Sequence, residues 1–254
     1  MNAAALLEVT DMRKAYGAIR AVDGVSFSVR AGEIFGVIGP NGSGKTTLFN
    51  SILGQITPDT GRIALDGDDI TGLAPKALSH RGVGRTFQTL QVFGKMSVRD
   101  NLIVAAQEHC GTMWSRMFAP TDSGLGERAD ALIDQFRIRH VADQPAGSLS
   151  YGQQKLVDIA MAFMPEPRLI LLDEPCAGVN PSLVGGISER LKDLNQQRAG
   201  AEKAASFVVI EHNMDFVMGL CHRIMVMVEG QVLAIGTPAE IRANREVLDA
   251  YLGN

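Results

Sequence analysis

The sequence predicts an α/β domain: a mostly parallel sheet with flanking antiparallel strands, and a helical subdomain inserted into it. Three observations carry that expectation. The run "IFGVIG" (34 to 39) is continuously apolar, as a strand buried on both faces must be, and a glycine-rich turn and a helix-like segment follow it. The same strand-then-helix order recurs at "RLILLDEP" with "PSLVGGISERLKDLNQQR", and at "SFVVIEH" with "NMDFVMGLC". Between about 88 and 165 the pattern becomes mainly helical.

Taken in order, residues 6 to 30 alternate, and Val25, Phe27 and Val29 fall on one face, as in half-buried antiparallel strands. After the buried strand, "KTTLFNSILG" reads as a helix closed by Gly54. "SVRDNLIVAAQEH", "GERADALIDQFRIRH" and "GQQKLVDIAMAFM" are the helices of the insertion, with loop chemistry around Pro120, Gly124 and Gly126 between the first two. "RIMVMVEGQVLAIG" reads as a hairpin turning at Glu229-Gly230, and "PAEIRANREVLDAYL" as one closing helix with Pro238 near its first turn. The expected organisation is a single domain over 1–254, with 1–87 and 166–254 as the α/β core and 88–165 as the helical subdomain.

Composition narrows the function classes. The 254 residues, 46% hydrophobic, suffice for a sizeable core. A net charge of −4 and a pI near 5.7 give no global electrostatic reason to bind nucleic acid. No run of about 18 uncharged apolar residues occurs, so no membrane span is expected. "MNAAALLEVTD" lacks the basic start and long apolar stretch of a secretory signal, so a cytoplasmic location is expected. Cys110, Cys176 and Cys221 are scattered without a paired spacing, which fits a reducing compartment and argues against zinc.

The strongest motif is "GPNGSGKTT", made of Gly39, Pro40, Asn41, Gly42, Ser43, Gly44, Lys45, Thr46 and Thr47. It follows a buried strand and opens a helix, the context a phosphate-binding loop requires. Glycines let backbone N–H groups turn toward phosphate oxygens, and the helix start adds partial positive charge. Lys45 would reach the β- and γ-phosphates and the Thr46 hydroxyl would ligate Mg²⁺. No N-K-x-D guanine motif is present, which favours ATP. In "LILLDEP" two carboxylates end a buried strand, where α/β sheets place their ligand crevice. Asp173 would hold Mg²⁺ and Glu174 would act as general base toward the attacking water.

Other positions stay open on the residues alone. His212 suits a contact on the γ-phosphate side or a structural place after its strand. Gln88 suits sensing of metal or water, or an ordinary surface site. Tyr16 suits stacking on a base, or core packing. Ser150, Gly152 and Gln153 in "LSYGQQ" offer a hydroxyl, an unobstructed N–H and an amide to an anion, yet Ser150 reads equally as an ordinary helix cap.

As an ordered set, Tyr16, "GPNGSGKTT", Gln88, "LSYGQQ", "LILLDEP" and His212 resemble the ATP-binding subunits of ABC transporters over essentially the whole chain. The resemblance implies a P-loop NTPase core of the ABC ATPase type, with ATP and Mg²⁺ as cofactors. It implies that Tyr16 stacks on adenine, that Thr46, Gln88 and Asp173 serve the metal, that Gln88 couples it to the transporter contact, and that Glu174 and His212 act in hydrolysis. Ser150, Gly152 and Gln153 would act in trans, closing over the γ-phosphate held by a second ATP-binding subunit, a paralogue or a copy of this chain. Two departures stand out: Tyr151 where many members have glycine, and "CAGVNP" where many have Ser-Ala-Leu-Asp, with Asn180 in place of an aspartate. Both are similar to importers of branched-chain and related amino acids, as are "GVGRTFQTLQVFGKMSVRDNLIVA", "IEHNMDFVM" and "EVLDAYLG". Such importers imply two membrane permeases, an external solute-binding protein and a place on the inner face of the cell membrane. "TLQVFGKM", with Leu90, Val92, Phe93 and Met96, is a docking surface for a permease loop or part of the subdomain core. A soluble clamp of the same ATPase type without permeases, and an importer of urea or short amides, are the alternatives.

Overall fold

The computed structural model describes residues 5–86, 90–107, 123–198 and 205–252. Among the described residues there are ten strands: β1 (Ala5–Tyr16), β2 (Ile19–Arg30), β3 (Ile34–Ile38), β4 (Thr60–Leu65), β5 (Asp68–Asp69), β6 (Val83–Arg85), β7 (Leu169–Asp173), β8 (Ser206–Ile210), β9 (Arg223–Val228) and β10 (Gln231–Gly236). The helices among the described residues are α1 (Lys45–Ile52), α2 (Pro75–His80), α3 (Val98–Gln107), α4 (Ser123–Gln135), α5 (Tyr151–Phe163), α6 (Pro181–Arg198), α7 (Met214–Leu220), α8 (Pro238–Ala243) and α9 (Arg245–Leu252).

The strands form two sheets, ordered β2-β1-β4-β5 and β10-β9-β3-β8-β7-β6. The first is antiparallel throughout. The second is parallel from β9 to β6, with β10 added antiparallel at its edge through the turn at Glu229 and Gly230. Alternation explains why β3, β7 and β8 read as unbroken apolar runs. Phe35, Val37, Leu171 and Val208 face the first sheet and α1, while Ile34, Ile38, Ile170, Leu172, Phe207 and Val209 face the helical layer. Phe27 and Phe35 stack across the sheet interface with ring centroids 5.3 Å apart.

Helices α3, α4 and α5 all fall in the long crossover from β6 to its parallel neighbour β7. Their joints are ionic as well as apolar: Asp130 on α4 pairs with both Arg99 and Arg139. Helix α4 stops at Gln135, short of "RIRH", because Arg137 turns left-handed at φ 55 and residues Arg139–Val141 form a 3-10 turn.

The closing helix is two helices, which corrects the single one expected. Asn244 is extended at ψ 118 and ends α8; its Oδ1 then accepts the N–H groups of Glu246 and Val247, starting α9. Strands β4 and β5 were not among the elements expected. In β4 only the second half, Ile63 to Leu65, is buried, so its pattern is too short to read as a strand.

Candidate nucleotide-binding and catalytic site

Strands β3, β8 and β7 lie side by side and parallel, so their C-terminal ends bring three separate sequence segments to one edge. From β3 comes the glycine loop. Added Cβ atoms at Gly39 and Gly44 would lie 2.1 Å from Met227 O and 2.0 Å from Ala21 O, so no larger residue fits either place. Gly44 caps α1 without any side-chain hydrogen bond, which leaves the first-turn N–H groups to an outside acceptor. The Lys45 ammonium is 5% exposed and donates to Gly39 O (2.8 Å), Pro40 O (2.9 Å) and Ser43 Oγ (3.3 Å). Burial lowers its pKa, and the charge of Glu174 acts in the opposite direction. Thr46 is exposed beside it.

From β7 come the carboxylates. Burial first, and then the neighbouring charge of Glu174, push the Asp173 carboxyl above the usual range. Asp173, Glu174 and the Thr46 hydroxyl carry hard oxygen donors of the kind Mg²⁺ takes, and Glu174 lies near enough to the start of α1 for its charge to act on Lys45. Glu174 is left-handed at φ 46, a conformation that costs about 1 kcal/mol or more for a non-glycine residue. It is held there from β8: its N–H donates to Ile210 O at 2.9 Å, and His212 Nε2 lies 2.8 Å from its Oε1.

Sequence reasoning missed Glu211. This carboxylate is 4% exposed and accepts three backbone N–H groups: Cys176 on Oε1 at 2.7 Å, and His212 and Asn213 on Oε2 at 3.0 and 3.2 Å. It therefore ties the loop after Glu174 to the segment carrying His212. The available signal was an acidic residue directly after the apolar run "FVVI", where burial demands several partners. Lys155 was missed as well. It is fully buried in α5; burial raises the carboxyls of both Asp158 and Asp173, and the charge of Lys155 acts in the opposite direction. From the other end of the chain comes Tyr251 on α9; burial pushes its hydroxyl pKa up to about 12, while the Gly39 backbone acts in the opposite direction.

The "LSYGQQ" segment has a complete local structure. Ser150 caps α5 with a reciprocal box: its Oγ accepts the Gln153 N–H, while Gln153 Oε1 accepts the Ser150 N–H (3.0 Å) and Oγ–H (2.9 Å). Ser150 is nevertheless exposed, and Gly152 is buried behind it. The two departures noted in the sequence touch. Gly178 sits left-handed at φ 71, and a Cβ there would lie 2.9 Å from Tyr151 Cε1. The left-handed backbone and the contact with the Tyr151 ring together favour glycine at position 178.

Tyr16 ends β1 with its ring 49% exposed and Lys14 Nζ 5.8 Å from its centroid, so it is not a core residue. Gln88 and Cys110 lie outside the described residues. Of the candidate docking residues, Phe93 is 51% exposed while Val92 packs against the main core.

A twisted parallel sheet with a glycine phosphate loop, a buried lysine and paired carboxylates at its C-terminal edge defines a P-loop nucleotide hydrolase. Residues 22–177 match the ABC transporter family, and residues 231–254 match the branched-chain amino acid ATP-binding cassette transporter family. The chain belongs to the ABC transporter family and is an ATP-binding cassette of it. It is 36% identical over 254 residues to the high-affinity branched-chain amino acid transport ATP-binding protein BraF of Pseudomonas aeruginosa, over 98% of each chain. A crystal structure of the ADP conformation of an ATP-binding cassette of an ABC transporter superimposes with a TM-score of 0.86 at 34% identity, over 99% of this chain and 100% of that one. A dimeric cassette in a post-hydrolysis state bound to ADP and Pi shares the fold, with a TM-score of 0.75 at 23% identity over 91% of this chain and 98% of that one. The resemblance read from the motifs is thus borne out at the level of family and fold.

Proposed function

We propose that the chain is the ATP-hydrolysing subunit of an importer of branched-chain or related amino acids, peripheral on the inner face of the cell membrane. The observation that carries the reading is the convergence of Lys45, Asp173, Glu174 and His212 on three adjacent strand ends. Kinship with branched-chain transport proteins over nearly the whole length supports the substrate class. Among the described residues no helix is long and apolar enough to cross a membrane, so transport calls for partner permeases.

In this reading Lys45 exchanges the carbonyls of Gly39 and Pro40 for β- and γ-phosphate oxygens, and the N–H groups at the start of α1 take the remaining charge. Tyr16 covers the adenine with its exposed ring. Thr46, Asp173 and Gln88 would hold Mg²⁺, which would neutralise charge on the phosphates. Glu174 accepts the proton of the attacking water, its carboxylate aimed by His212 Nε2. Ser150, Gly152 and Gln153 reach the γ-phosphate of a second subunit from the start of α5, where Ser150 is exposed. A permease segment docks beside Phe93.

The test is the reconstituted complex. Glu174→Gln is expected to retain ATP binding and to lower turnover by roughly 10²- to 10⁴-fold, the usual worth of a general base. Labelled leucine, isoleucine or valine should enter vesicles in an ATP-dependent way while urea does not. Wild-type turnover in Glu174→Gln would remove the base assignment, and uptake of urea alone would redirect the substrate.

A further inference from the structure

Between α2 and β6 on one side and α3 and α5 on the other lies a groove of about 680 Å³. Ala105 and Met161 contribute apolar wall, and Phe93 lines it while half exposed. Lys76 and Arg85 line it from the α2–β6 side. Asp158, on α5, is the one carboxylate among the described lining residues.

Asp158 is 5% exposed. Its Oδ1 accepts the Gln91 N–H at 3.1 Å, but its Oδ2 is buried and has no hydrogen-bond partner. Among the described residues it is the one buried side-chain polar atom left so. Folded proteins satisfy nearly all such atoms, since leaving a buried acceptor unmade forfeits its solvation with no return. Neither cation on the opposite wall reaches it, although both belong to the same groove.

We infer that Asp158 recognises a basic side chain, lysine or arginine, carried on an otherwise apolar segment that a partner membrane subunit inserts into this groove. The inference rests on the permease reading given above and adds the chemistry of the contact. A cation suits the place on three counts. It donates to the unpartnered Oδ2, it adds to the charge of Lys155 in offsetting the burial of the carboxylate, and its aliphatic stem fits walls of the Ala105 and Met161 kind. Lys155, one helical turn before Asp158 and electrostatically coupled to Asp173 as well, places the contact one buried charge away from the metal-side carboxylate.

The experiment compares tagged wild type, Asp158→Asn and Asp158→Ala, each expressed with its membrane subunits. Co-purifying subunits from detergent-solubilised membranes are quantified by mass spectrometry, and the thermal midpoint and ATP binding of each isolated chain are measured in parallel. Both variants are expected to recover the membrane subunits on the order of 30-fold less well than wild type, as for removal of one partner from a buried charge pair. The isolated variants should bind ATP as wild type does; Asp158→Asn, whose amide oxygen can still accept the Gln91 N–H, should hold the wild-type thermal midpoint, while Asp158→Ala gives up that one hydrogen bond. Full recovery by Asp158→Asn, which keeps an oxygen acceptor without charge, would overturn the basic partner. A fall in thermal midpoint that accounts for the loss would overturn recognition in favour of a folding role. If wild type itself recovers no membrane subunit, the permease reading falls and this inference with it, an outcome distinct from equal recovery by all three chains.

Discussion

The phosphate-loop side and the signature side of this cassette satisfy their polar groups in opposite ways. At the phosphate loop the partners come from far apart in sequence: Glu174 is fixed by Ile210 and His212, and Glu211 holds Cys176. At the signature, Ser150 and Gln153 satisfy each other within one helical turn and face outward. The first region is a pocket organised by tertiary contacts. The second is an ordinary helix cap whose proposed work lies on another subunit. Local satisfaction of a polar group therefore says little about whether it has a distant task.

That contrast is sharpest at Ser150. Ser150→Ala should cost the isolated chain only about 1 kcal/mol, the usual worth of a helix cap, read by thermal or denaturant unfolding. In the assembled transporter the same change should lower turnover on the order of 10²-fold, the loss expected for one donor at developing charge. Equal, small effects in both settings would reduce the signature to a cap.

Glu211→Gln probes the opposite kind of site. An amide nitrogen turned toward Cys176 N–H, or toward the N–H groups of His212 and Asn213, replaces an acceptor with a donor. We expect about 1–3 kcal/mol of destabilisation. Turnover in the full complex should fall while ATP affinity holds, because the lysine and the glycine loop are untouched; a parallel fall in both would assign Glu211 to folding alone.

Gly178→Ala joins the two regions. The new Cβ meets the Tyr151 ring at a left-handed backbone position, so about 1–2 kcal/mol of destabilisation is expected. Adding Tyr151→Ala should return the part due to the clash and leave the backbone part, giving non-additive energies in a double-mutant cycle. Additive energies would mean that the ring and the loop do not communicate.

The smallest effect is a pH dependence. A carboxyl whose pKa is raised by folding stabilises the folded state below its unfolded value, and that contribution is lost as pH rises through the folded value. For Asp173 the direction is upward, by burial and then by Glu174. Stability of the isolated chain minus that of Asp173→Asn should therefore decline as pH climbs above the ordinary aspartate range, measured by urea unfolding at a series of pH values. A flat difference would mean that Asp173 is less buried in solution.

Much of this protein is legible in one dimension. Buried strands announce themselves because parallel strands covered on both faces must be apolar throughout, and "GPNGSGKTT" is contiguous because a phosphate loop is built from consecutive N–H groups. The hairpin at Glu229-Gly230 and the cap at Ser150 depend on neighbours within four residues, so spacing alone carries them. The sequence also determined the family, through several motifs in one order. The break at Asn244 was less legible, since a residue that can cap a second helix can also sit inside a longer one.

Only the tertiary structure decided which residues meet across long separations. Glu211 and Cys176 are 35 positions apart, Tyr151 and Gly178 belong to different motifs, and Asp158 has one oxygen on the Gln91 N–H while the other is buried without a partner. The physical reason is that hydrogen bonding, sterics and burial act through space. A sequence displays them only where the partners are also neighbours along the chain.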